Sequence, residues 1–238
     1  MSERITSRPR PTIPRWVNAA VISVALAFLA ALAGCGGSND GDESTKVNGS
    51  IHVPAGKAPG AVTTVNGSIH IDDNAAVASA NTVNGSIQLG ARAAAASLNS
   101  VNGSLILGAG AHVAGSVSTV NGEINLADGA EIFGSVSNVN GKITVTAAHV
   151  VGGIKTVNGN MNISGSAHVE GGILVEKPSG QLMQLVQKIP RIVIGPGATV
   201  QGELHFERTV KLYVSDKATV GAVTGSTPIS FTGDSPPN

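Results

Sequence analysis

The chain has 238 residues, a formal net charge of zero, 3% aromatic and 13% charged residues, and 31 glycines. So few aromatics leave core filling to small aliphatics, and the lack of a cationic excess excludes a phosphate-neutralising nucleic-acid surface. Apolar residues are spaced regularly rather than diluted out, which excludes a disordered chain.

Residues 1–34 read as a targeting segment to be set apart from the fold. Arg4, Arg8, Arg10 and Arg15 form a basic start, and an apolar run from Trp16 to Ala33 follows, broken only by Asn18 and Ser23. It closes on Leu32-Ala33-Gly34-Cys35, which resembles the lipobox of bacterial lipoproteins. That resemblance implies cleavage before Cys35, lipidation of its thiol and acylation of the new N-terminus. The alternative is an uncleaved anchor, since about 18 apolar residues nearly span a bilayer. Small residues at the cleavage positions favour the lipobox. Cys35 is the only cysteine, so no disulfide framework exists. Removal of 1–34 takes four Arg from 15 basic residues and one Glu from 15 acidic ones, leaving 11 and 14. Residue Gly36, rather than Asp, follows Cys35. Resemblance to Gram-negative lipoproteins then implies the outer membrane, with the body facing the periplasm or the cell surface.

Residues 35–46 comprise Cys35 and a Gly-, Ser- and acid-rich tether that holds the folded body off the membrane. Residues 47–175 carry seven Val-Asn-Gly copies, starting at Val47, Val65, Val83, Val101, Val120, Val139 and Val157, with spacings of 18, 18, 18, 19, 19 and 18. That period is too short for a helical hairpin or a propeller blade and matches one rung of a β-solenoid. Four and six residues after each repeat Val stand aliphatics, such as Ile69 and Ile71 or Ile124 and Leu126, mostly with a polar residue between them. Period two predicts a half-buried strand. Each buried Ile or Leu contributes about 1.5–3 kcal/mol, and no rung can bury its face alone.

Asn-Gly is expected at a corner needing positive φ, which Gly adopts freely and Asn tolerates. Stacked corners would bring Asn48, Asn66, Asn84, Asn102, Asn121, Asn140 and Asn158 about 4.8 Å apart, ready to form an amide ladder. The second half of a rung reads Ala-x-Val-x-Gly-x-Val, as in Ala111–Val117, which suits a triangular coil of three faces. The extra residue of the 19-residue rungs is expected in a turn or bulge. Glu176-Lys177-Pro178-Ser179-Gly180 breaks the pattern, so 176–190 reads as an inserted loop or short helix. Residues 191–223 resume the coil, their aromatics serving as a cap, and 224–238 form a tail or terminal strand blocking the last edge. The predicted class is all-β: a single-stranded parallel β-helix of 18–19 residues per rung, with about nine rungs. The usual crossover hand favours a right-handed coil. Left-handed hexapeptide coils also use 18 residues per turn but keep a stricter six-residue beat.

The Val-Asn-Gly-Ser-Ile rungs resemble the putative-adhesin family of bacterial β-solenoids. The Gly-Ala-x-Val-x-Gly-x-Val segments and Ile194–Leu204 resemble bactofilins, cytoskeletal proteins that coil into right-handed β-helices and polymerise end to end. Together these likenesses cover about residues 47–222. They imply a structural, scaffold or adhesin-like role and self-association through the coil ends. The lipobox and the 176–190 interruption depart from the bactofilin pattern, so the fold transfers more safely than the function.

Eight positions before three of the repeat valines stand His112, Glu131 and His149, and His168 shares the Ala-His-Val context one rung on. Imidazoles and a carboxylate at strand spacing suit Zn²⁺ or Cu²⁺; a merely solvated outward column is the bland alternative. His52 and His70 form a similar pair, and Asp72-Asp73 falls in a turn. Glu123 and Lys142 are expected to form a cross-rung ion pair. No nucleophile–base arrangement, phosphate loop or His-Glu-x-x-His is present, which points away from catalysis and calls for no cofactor. The expected partners are a membrane through the lipid and a second copy through the ends. Alternative roles are an envelope binding module for glycan, peptidoglycan or protein, and a surface metal carrier.

Overall fold

The computed structural model describes residues 44–178 and 188–237. They belong to the second of two units into which the chain divides, Met1–Asn39 and Asp40–Asn238. Residues 1–43, which hold the expected signal segment, Cys35 and most of the expected tether, residues 179–187 of the expected insertion and Asn238 lie outside the described residues.

The described residues contain strands and turns but no helix, and the paired strands are parallel throughout. The chain coils as a β-solenoid. The seven strands that follow the Val-Asn-Gly corners and three later ones, Arg191–Ile194, Lys211–Ser215 and Ile229–Phe231, stack into one ten-stranded sheet, the first face, which begins at Ile51–Val53. There are thus ten rungs, about 45 Å of coil at strand spacing. The tenth is built by Ile229–Phe231, in the segment expected to be a tail or terminal strand. From the fifth rung on, each turn has two further strands, such as His112–Val113 on a second face and Val117–Asn121 on a third. These faces share a 16-stranded sheet, because Ala76–Asn84 and Ala94–Asn102 run unbroken around the corner between them.

The change in rung length has a definite place. Ala95 pairs with Val113 at an offset of 18, and Leu98 with Val117 at 19. The extra residue therefore lies in Ala114-Gly115-Ser116, where it splits the long strand in two. One residue is lost again between Val145 and His149, where Ala147 turns with φ 49°. Across the insertion the stack is continuous: Met161 pairs with Ile192 and Ile173 with Leu204, both at 31.

Aliphatic columns fill the interior, for example Ile69, Ile87, Leu105, Ile124 and Ile143 on the first face and Val62, Ala80, Leu98, Val117 and Val136 on the third, all buried. One buried column is polar: Thr64, Thr82, Ser100, Thr119, Asn138 and Thr156. Thr64, Thr82, Ser100 and Thr119 donate their hydroxyls to the carbonyls of Gly49, Gly67, Gly85 and Gly103 in the preceding rung, at 3.0–3.1 Å. In the next two rungs this column becomes Val175 and Phe206, where the Val-Asn-Gly corner has also ended.

Three expectations change. Positive φ occurs at Gly49 and Gly141 but not at the other five repeat glycines. Glycine is needed there for close approach: a Cβ at Gly67, Gly85, Gly103 or Gly122 would lie 1.8–2.2 Å from the carbonyl oxygen of the glycine one rung earlier. The C-terminal aromatics do not together plug the coil. Phe206 joins the core, whereas Tyr213 and Phe231 form a separate cluster with Val193. Beyond the tenth rung the tail turns back, and the Arg191 guanidinium donates to the Pro237 carbonyl at 3.4 Å. Ala218, Val220 and Val223 of the last rungs are left only partly buried.

Candidate functional site

Repeating register sends one residue type up each outer column, so the solenoid carries ladders of like side chains. In the corner ladder, the amide nitrogens of Asn66, Asn84, Asn102, Asn121, Asn140 and Asn158 each donate to the Oδ1 of the asparagine one rung earlier, at 2.9–3.2 Å. The ladder is polar, with its last acceptor at Asn158. Arg208, from two rungs further on, donates to that oxygen and to the Val157 carbonyl at 2.9 Å. Its other terminal nitrogen reaches the Lys188 carbonyl at 3.0 Å. Burial holds the guanidinium below its ordinary pKa. The serines beside the corner add a parallel set: the backbone N–H groups of Ser68, Ser86 and Ser104 donate to the hydroxyls of Ser50, Ser68 and Ser86, each at 3.3 Å.

On the second face, His112, Glu131, His149 and His168 stand in one register column. The column divides into two groups. His112 Nδ1 lies 3.4 Å from Glu131 Oε2, and the His112 ring packs on Phe133 at 5.0 Å. His149 and His168 have ring centroids 5.3 Å apart, and His149 Nε2 contacts Glu170 Oε1 at 2.8 Å. His149, His168 and Glu170 offer ligand atoms within 4.8 Å of one another. Glu170 was not anticipated. Its signal was the alternation His168-Val169-Glu170, which turns both polar residues outward.

The first face assembles a second trio, His52, His70 and Asp72, again within 4.8 Å. His52 and His70 pair in register, and their rings lie 5.5 Å apart. The hydrogen bond from His52 holds the Asp72 carboxyl below the usual carboxylate range, against a smaller opposing effect of desolvation. Glu123 and Lys142 stand on adjacent rungs but form no ion pair; the five pairs among the described residues all involve histidine. A shallow cleft of about 450 Å³ lies between Asp234–Pro236 and first-face residues including Lys142, Asn160 and Arg191.

Fold and site together define a β-solenoid whose outer faces carry amide, hydroxyl and imidazole ladders. Compared with known proteins, the chain matches no family model, no curated protein and no solved structure.

Proposed function

We propose that the protein is a lipid-anchored structural rod of the bacterial cell envelope, with a scaffold or adhesin-like role and no catalysis. The observation that carries this reading is the unbroken stack of ten rungs with continuous core columns, seven of them also joined by the Asn48–Asn158 corner ladder. Such a body resists bending because every rung is hydrogen-bonded to its neighbours along three faces. Cys35 supplies the anchor and residues 36–43 the stand-off; Ser44–Lys46, expected to be tether, belong to the strand Ser44–Asn48 that pairs with Ala61–Asn66. The partly buried Ala218, Val220 and Val223 in the last rungs suit stacking of one copy on another.

Electron microscopy of the soluble chain lacking residues 1–35, over a rising concentration series, tests the scaffold role. Filaments one coil wide are expected. Isolated rods at every concentration would remove polymerisation from the reading and leave a monomeric adhesin or spacer.

A further inference from the structure

We propose that His52, His70 and Asp72 form a binding site for a divalent first-row transition ion on the first face, with Gln88 orienting His70 from the next rung. The site is separate from the column of His112, Glu131, His149 and His168. It rests on geometry that the rod reading does not use.

Both imidazoles turn Nε2 toward the same atom. His52 Nε2 lies 2.8 Å from Asp72 Oδ1, and His70 Nε2 lies 3.1 Å from it. On the far side of its ring, His70 Nδ1 lies 3.1 Å from the Gln88 Oε1. A neutral imidazole has one N–H. If a neutral His70 donates from Nδ1 to Gln88, its Nε2 lone pair faces a carboxylate oxygen, a contact that needs either a second ring proton or a metal ion between the two atoms. A metal ion bound by Nε2 and Oδ1 removes the conflict, and Gln88 then plays the outer-shell part that fixes tautomer and ring orientation. Donor atoms around a tetrahedral ion with bonds of about 2.0–2.1 Å are about 3.3 Å apart, so the two His–Asp distances need open by only a few tenths of an ångström, and all three donors already lie within 4.8 Å of one another.

The scaffold holds the donors in place. His52, His70 and Gln88 are one register column on three adjacent rungs. Asp72 opens a tight turn, its N–H bonded to the Val53 carbonyl at 2.9 Å and its carbonyl to the Ala75 N–H at 3.2 Å. Two imidazoles and one carboxylate favour Zn²⁺, Cu²⁺ or Ni²⁺ over Ca²⁺ or Mg²⁺, which prefer an all-oxygen shell. Three protein donors leave the remaining coordination to water.

Zinc titration of the full chain in detergent, against a competing chromophoric chelator, tests the site. His149→Ala and His168→Ala are introduced first to silence the second-face cluster. One zinc per chain is expected, with Ca²⁺ failing to compete. His70→Ala should abolish binding, and Gln88→Ala should weaken it about 10- to 100-fold as an outer-shell loss. Zinc affinity unchanged by His70→Ala would overturn the proposal. Because all four side chains are on the surface, thermal melts are expected to stay at the wild-type value. X-ray absorption at the zinc edge gives a second readout that needs no variant in the site: two imidazoles around the ion support it, and fewer than two refute it.

Discussion

Within Thr-Val-Asn-Gly-Ser each residue meets a different demand of stacking. Thr donates to the glycine carbonyl of the preceding rung, a part-buried bond contributing about 0.5–1.5 kcal/mol. Asn extends the amide ladder, Ser accepts a backbone N–H, and Val itself is only half-buried at most copies. Gly admits the neighbouring rung. Its carbonyl and the hydroxyl belong together at Thr64, Thr82, Ser100 and Thr119; Thr156 donates instead to Asn138 Oδ1, and past the corner motif the column becomes Val175 and Phe206. Two glycine substitutions separate the possible reasons for glycine. A Cβ at Gly85 would sit 1.9 Å from the Gly67 oxygen, while one at Gly49 meets nothing within 4 Å but must adopt φ 105°. Gly85→Ala should therefore cost about 3 kcal/mol or more, at the upper end of overpacking. Gly49→Ala should cost about 1–2 kcal/mol, the left-handed backbone penalty. Equal losses in urea unfolding would contradict the close-approach explanation.

At the scale of the strand, inward and outward positions alternate and their tolerance follows. Ile124 is fully buried between Leu105 and Ile143, whereas Asn125 beside it faces outward. Ile124→Asp places a charge in a continuous aliphatic column and should destabilise by about 4 kcal/mol or more. Asn125→Asp should stay within about 0.5 kcal/mol of wild type. Chemical denaturation of both variants checks the register, and a mild effect at Ile124 would refute it. The corner ladder is likewise a property of the element. Its amides all point the same way, so its end needs a donor, and Arg208 supplies a charged one.

For the whole molecule, local openings propagate because each rung is held only by its neighbours, and ionisation at one rung can alter overall stability. Burial raises the pKa of Glu176, with Lys155 opposing and Glu207 adding to the rise. The folded chain then holds this proton more tightly than the unfolded one. Stability from this group is present below the ordinary glutamate value of 4.5 and is lost as pH rises through the raised folded value. Glu176→Gln should leave the melting temperature near wild type at pH 4 and raise it relative to wild type at pH 7. Calorimetry at the two pH values decides this; a difference that does not grow with pH would show that Glu176 is not the source. Because the side chain is about half exposed to solvent screening, the gain should be small.

The sequence by itself determined the architecture, the strand alternation, the Asn column and the second-face column of His112, Glu131, His149 and His168. All are consequences of translation: a fixed period puts equal offsets in register, whatever the side chains do. The Thr and Ser column was visible as the residue before most repeat valines, but its purpose was not. That purpose depends on how near two rungs approach at the glycine, which spacing does not encode. Only the tertiary structure joined Glu170 to His149 and His168, and Asp72 to His52 and His70, because side-chain torsions decide which column neighbours meet. It alone turned Tyr213 and Phe231 away from the core and showed that the last segment, read as a tail or terminal strand, adds a tenth rung. Outside the repeats no period constrains the chain, and packing against the rung already formed chooses its path.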